Sequence, residues 1–160
     1  MCWPVPRKQT NPNSMASEHA RSSGVEIKVG DLFTSTLPLA HCVSEDFAMG
    51  AGIALEFRTR FGLVDELKAQ KRQVGDVAYI QHDGHGYLFY LVTKSRYWEK
   101  PTYSVLQECL EQLHALCTEF GVKAIAMPRI GCGLDRLQWN VVQQLIESTM
   151  KGIDVQVYTL

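Results

Sequence analysis

No strong field, disulfide scaffold or membrane span announces a partner for this chain. Sixteen lysines and arginines face 17 aspartates and glutamates, leaving a net charge of −1. With so little excess of either sign, no surface-wide potential recommends DNA, RNA or an anionic membrane. The five cysteines (Cys2, Cys42, Cys109, Cys117 and Cys132) are odd in number, and no C-x-x-C occurs. That argues against a disulfide framework and for reduced thiols in a cytosolic or nuclear compartment. The apolar runs are far too short to span a bilayer. Neither the full G-x-G-x-x-G fingerprint nor G-x-x-x-x-G-K-[ST] is present, so two common nucleotide-binding signatures are missing. His82 and His85 have no cluster of cysteines or carboxylates beside them, which favours a turn over zinc. No metal and no cofactor are expected.

What is present reads as one domain of ordinary composition, 46% apolar and 21% charged over 160 residues. The first stretch, residues 1–24, differs from the rest. It holds Pro4, Pro6 and Pro12, many small polar residues and no apolar periodicity. It is expected to be a disordered lead, with the folded domain spanning 25–160.

Beyond Gly24 strands and helices alternate. "VEIKV" (25–29) and "LAHCV" (39–43) read as strands. "GIALEFRTRF" reads as a helix with Ile53, Phe57 and Phe61 on one face, and a shorter helix is expected over 64–72. "VAYIQHDGHGYLFYLVT" reads as a hairpin with Asp83-Gly84 as the turn signal. The clearest helix starts after Thr102, a plausible N-cap. It carries Leu106, Cys109, Leu110, Leu113, Leu116, Cys117 and Phe120 on one face, and Gly121 closes it. A strand, "KAIAM", a helix over roughly 139–150 and the terminal "DVQVYTL" complete the chain. Such interleaving implies an α/β fold with helices on both faces of a partly parallel sheet. Ligands of such folds bind beyond the carboxyl ends of strands, so chemistry is expected in the loops after residues 43, 93 and 127.

Three loops are candidates, each with a plainer reading beside it. "SEDFAMGAGIA" (44–54) places Gly50 and Gly52 between a strand and a helix N-terminus, which suits an anion such as phosphate and equally a simple turn. "PRIGCGLD" again puts glycines after a strand, offering the amides of Ile130 to Leu134 to a second phosphate. Asp135 either serves something beyond those phosphates, pairs with Arg136, or caps the last helix. Lys94 ends the strongest apolar strand; it is a solvated strand end, or, facing a cleft, an amine nucleophile. Cys132 with His41 is a further thiol-and-base candidate, Ser44-Glu45-Asp46 could supply acids or cap a loop, and Tyr97-Trp98 is a stacking surface or core.

Together "GDLF" (30–33), "AHCVSEDFAMGAGIA" (40–54), "LVTK" (91–94), "KPTY" (100–103), "MPRIGCGLDRLQW" (127–139) and "VYTL" resemble the macro domain family. More narrowly, the chain resembles the stand-alone terminal ADP-ribose protein glycohydrolase branch over nearly everything after Gly24. The resemblance implies a three-layer α/β/α fold with a mixed, roughly six-stranded sheet, and ADP-ribose as ligand. Asp31 would then hold the adenine amino group, Leu32 would lie against the base, and Leu160 would close that end. Ser44, Gly50 and Gly52 would contact the ligand, and Arg129, Ile130, Gly131, Cys132, Gly133 and Leu134 would wrap the diphosphate and distal ribose. Lys94 and Asp135 match the branch's catalytic lysine and aspartate. The implied reaction removes ADP-ribose esterified to glutamate or aspartate side chains and deacylates O-acyl-ADP-ribose. A non-catalytic ADP-ribose reader is the competing function. The implied partners are ADP-ribose and ADP-ribosylated proteins, without direct nucleic-acid binding or membrane contact, for a monomer in the nucleus and also the cytosol. Ser95, Tyr97 and Trp98 depart from the branch, which is more basic and less aromatic there.

Overall fold

The structure, a computed structural model, describes residues 24–160. The expected lead therefore lies outside the described residues. Six strands form one sheet: β1 (Val25–Val29), β2 (Leu39–Ser44), β3 (Val77–His82), β4 (Gly86–Lys94), β5 (Ala124–Pro128) and β6 (Asp154–Thr159). Their spatial order is β1-β6-β5-β2-β4-β3, with every neighbouring pair parallel except the antiparallel β3–β4 hairpin. Four α-helices connect them: α1 (Gly52–Phe61), α2 (Val64–Ala69), α3 (Tyr103–Phe120) and α4 (Trp139–Thr149).

The alternation of side chains along each strand divides the core in two. Ala40, Phe89, Leu91, Ile125, Met127, Val155 and Val157 pack with Leu106, Cys109, Leu110, Leu113 and Cys117 of α3 and Val142 and Ile146 of α4. Leu39, Val43, Leu88, Tyr90 and Val92 pack on the other face with Leu32, Phe57 of α1 and Leu67 of α2. The result is a three-layer α/β/α sandwich.

Local signals account for most element ends. Thr102 Oγ1 accepts from Val105 N at 3.2 Å, and Gly121 closes α3 at φ 70°. The hairpin differs in detail from its Asp-Gly signal: Asp83-Gly84-His85 form a three-residue loop, and Gly86 takes the positive φ of 80°. The second helix ends at Ala69 rather than at residue 72. Lys71 has a φ of 53°, breaking the helix, and the Gln70 carboxamide turns onto edge strand β3. There it accepts from Tyr79 N at 3.1 Å and donates to Tyr79 O at 2.7 Å. A tertiary contact that looks like an extra strand has overridden helical propensity.

Candidate active site

From β5 the chain passes through α4 to β6 on one side of the sheet; from β2 it passes to β3 and β4 on the other. The β5–β2 boundary is thus the topological switch point, where open α/β sheets bind ligands. Its ladder consists of one pair, Leu39 with Ala126. The two strands are free to part toward their carboxyl ends, and there a cavity of about 680 Å³ opens. The loops after β2, β4 and β5 line it, as the strand-end argument requires.

The first loop is braced from within. Asp46 Oδ1 accepts from Ser44 Oγ and, at 3.2 Å, from Ala48 N. Arg58 of α1 donates to Ala48 O at 3.0 Å. Phe47 and Met49 take φ values of 50° and 46°, a costly conformation for side-chain-bearing residues, and the burial of both side chains holds it. This bracing delivers the N-terminus of α1 to the cavity with Ala51 at the cap and no side-chain cap bond. Among the described residues no protein group accepts from the amides of Gly50, Ala51, Gly52, Ile53 or Ala54. Uncapped helix-end amides facing a cleft make an anion seat.

The second loop, residues 129–137, folds on itself. Cys132 N donates to Arg129 O at 3.2 Å, Arg136 N to Gly133 O at 3.2 Å, and Leu137 N to Gly131 O at 2.7 Å. The amides of Ile130, Gly131, Gly133 and Leu134 have no protein acceptor among the described residues, and these four residues line the cavity with Arg129. Cys132 differs from its neighbours in the run: its amide is spent on the turn, it does not line the cavity, and its half-buried side chain packs against the core beneath α3 and α4. Its thiol donates to Ile130 O at 3.4 Å, and burial pushes its pKa up.

Lys94 and Asp135 meet where these loops converge, with Nζ 2.5 Å from Oδ1 and each side chain about one-seventh exposed (14% and 15%). The β2–β4 register shifts between Val43 and Ser44, so that Ser44 stands opposite Lys94. Such a bulge redirects the side chains at a strand end. The pairing also answers the plainer readings of Asp135: it does not cap α4, whose N-cap is Gln138 without a side-chain bond, and its ion pair is with Lys94 rather than Arg136. Charged groups on the cavity wall are Lys94, Lys100, Arg129 and Asp135, three cations against one carboxylate. That balance favours a doubly anionic ligand.

Other expectations divide. Ser44 lines the cavity, buried, as do Gly50 and Gly52. Asp31, Leu32 and Leu160 do not line it. Asp31 is exposed, accepting from Phe33 N at 3.0 Å to cap a short 3₁₀ turn. Leu32 is 4% exposed and packs in the core with Phe57 of α1. Leu160 is fully exposed at the carboxyl end of β6, beside β1. The Cys132–His41 pair is corrected: His41 stacks on Phe57 at 3.7 Å between ring centroids, on the sheet face opposite Cys132. Burial lowers its pKa to about 3, so it is neutral and enclosed.

Sequence reasoning missed Cys42, Met49, Ile53, Ala54 and Lys100 as wall residues. Cys42 was a readable omission, since it shares the alternation of Ala40 and Ser44 on β2. Burial above all, then Cys109 and Asp135, push its thiol pKa well up, which makes it a neutral wall group. Tyr97 and Trp98, 63% and 64% exposed and edge-to-face at 5.0 Å, are rim rather than core.

An α/β/α sandwich with two amide-rich loops and a lysine–aspartate pair in a cavity at its switch point is the architecture of a macro domain. The chain belongs to the macro domain family, whose sequence profile matches residues 40–146. It is 47% identical over 151 residues to human ADP-ribose glycohydrolase OARD1, covering 92% of this chain and 99% of that protein. To the Bos taurus ADP-ribose glycohydrolase OARD1 it is 46% identical over 148 residues, or 90% and 97% of the two chains. Among solved structures, the macrodomain of Mycobacterium tuberculosis DarG superposes with a TM-score of 0.77 at 22% identity, over 85% of this chain and 97% of that one. That likeness bears on the fold.

Proposed function

We propose that this protein is an ADP-ribose glycohydrolase that cleaves the ester joining ADP-ribose to glutamate or aspartate side chains. O-acyl-ADP-ribose is its small-molecule counterpart substrate. The hydrolase class is supported by the two OARD1 relatives, each of which matches over nearly its whole length. One observation carries the finer reading: Lys94 and Asp135 meet at 2.5 Å in a cavity walled by two loops of free amides. A diphosphate seated on both loops would bring a ribose to the amine. A domain that only binds the nucleotide has no use for a nucleophile there.

The chemistry follows from the leaving group. A carboxylate esterified at the distal ribose departs without much acid assistance. Lys94, having passed a proton to Asp135, attacks the ester-bearing anomeric carbon of the ribose ring. The bond from that carbon to the acceptor oxygen breaks, and the carboxylate leaves with the electron pair. Asp135 hands the proton to the departing carboxylate, and the carboxylate form it regains deprotonates the water that adds to the same carbon. The carbon–nitrogen bond breaks, freeing ADP-ribose and the lysine.

The test uses protein bearing glutamate-linked ADP-ribose, and O-acetyl-ADP-ribose in parallel. Wild type is expected to release ADP-ribose from both, while Lys94→Ala and Asp135→Ala each lose at least about 10²-fold in rate. Calorimetry is expected to show that both variants still bind free ADP-ribose. Inert wild type with tight nucleotide binding would leave the reader standing instead. Equal turnover by all three proteins would remove both residues from the mechanism.

A further inference from the structure

Asp135 has a problem that the ion pair with Lys94 cannot solve. Once the amine bonds to the sugar carbon, it no longer anchors the carboxylate, yet the carboxylate must stay in place to activate water. The backbone turns on either side of it, Arg136 N to Gly133 O and Leu137 N to Gly131 O, lie within the loop and do not fix it against the helices, and Leu134 just before it is 67% exposed. Something else has to hold this segment while Lys94 changes partner.

The segment leading into α3 and the first residue of that helix reach across and grip it, once each. Lys100 Nζ donates to Leu134 O at 2.8 Å, one residue before Asp135. Gln138 N, three residues after Asp135, donates to Tyr103 Oη at 3.0 Å. The gripping segment is itself fixed, because Pro101 is buried, Thr102 caps α3, and the half-buried Tyr103 ring packs against the core. On the gripped side Leu137 and Trp139 pack against that same core. The two bonds therefore bracket Asp135 and refer its position to α3, independently of Lys94.

We propose that Lys100 and Tyr103 form a clasp that positions Asp135 for the water-activating half of the reaction. They are positioning residues, and this role rests on the hydrolase reading above. Both bonds meet backbone groups of the loop, and Tyr103 is not on the cavity wall, whereas Lys100 also carries one of that wall's positive charges. The clasp should therefore govern turnover more than nucleotide affinity, because an ångström of drift at a reacting group can cost about 10²-fold.

The experiment compares wild type with Tyr103→Phe, which removes one oxygen and keeps the ring, Lys100→Ala, and Lys100→Arg, which restores a donor. Steady-state turnover of the glutamate-linked substrate, ADP-ribose affinity, melting temperature and hydrogen exchange across residues 129–138 are measured for each. Tyr103→Phe is expected to lose roughly 10- to 100-fold in kcat with ADP-ribose affinity and melting temperature little changed, and Lys100→Ala to lose as much in kcat but some affinity as well, since it removes a charge from the cavity wall. Exchange in the 129–138 peptides is expected to quicken, and Lys100→Arg to recover most of the rate. If wild type is active and both variants match it, or if the kcat of Tyr103→Phe falls only in step with its melting temperature or affinity, the clasp is wrong while the hydrolase reading survives. If wild type itself is inert, the hydrolase reading falls and takes the clasp with it.

Discussion

At the residue scale the two amide-rich loops depend on their glycines unequally. Gly131 has a φ of 73°, and a Cβ there would stand 2.7 Å from Leu137 Cδ1, a side chain already packed on the core. Gly50 has no positive φ, and a Cβ would find nothing nearer than Ala48 O at 4.0 Å. Gly131→Ala is thus expected to destabilise by about 1–3 kcal/mol and to weaken ADP-ribose binding, combining left-handed strain with overpacking. Gly50→Ala is expected to leave stability within about 0.5 kcal/mol while weakening the ligand alone, since it stands on the cavity wall. Urea denaturation and calorimetry on the pair would separate the roles; equal stability losses would show that the distinction is false.

At the scale of elements, the informative case is the edge of the sheet. Strand β3 has a neighbour on only one side, and an open edge invites pairing with another chain. Gln70 occupies both hydrogen-bonding groups of Tyr79, while Gln112 of α3 accepts from Val77 N. Two carboxamides thus substitute for part of the missing strand. Gln70→Ala is expected to raise concentration-dependent self-association, read by sedimentation velocity, with the active-site cavity unaltered because neither Gln70 nor any residue of β3 lines it. A variant that stays as dispersed as wild type would mean the edge needs no such guard. The same contact explains why the end of α2 was misread: residues 70–72 have helical composition, but their conformation answers to β3.

At the scale of the whole molecule, the sheet encloses a histidine that no local pattern marks as buried. His41 is fully buried, its two ring nitrogens have no hydrogen-bond partner among the described residues, and burial lowers its pKa from 6.5 to about 3. In the unfolded chain it protonates near pH 6.5, whereas in the folded protein it resists until about pH 3. Protons therefore favour unfolding across that window, and the penalty is absent above it. Stability should fall by about 1.4 kcal/mol per pH unit from this residue, or roughly 2 kcal/mol between pH 6.5 and pH 5. Urea midpoints at pH 7 and pH 5 test this: His41→Leu is expected to lose less between the two than wild type. The same drop in both would assign the acid sensitivity elsewhere.

Order within elements was legible because it rests on local physics. Periodic burial marked five of the six strand segments and the long helix α3, and Thr102 and Gly121 marked that helix's ends. The glycines after β2 and β5 identified the two loops, since only free backbone at a strand end can offer so many amides. Reach between elements was not legible. Lys94 and Asp135 stand 41 positions apart, and only the strand order that sets β5 beside β2 and β2 beside β4 brings them together. That same order put His41 and Cys132 on opposite faces and Lys100 within reach of Leu134. The amino-acid sequence by itself determined which groups could grip phosphate or act on a sugar. The tertiary structure decided which of them share a cavity, because sheet neighbours are chosen by burial summed over the whole core.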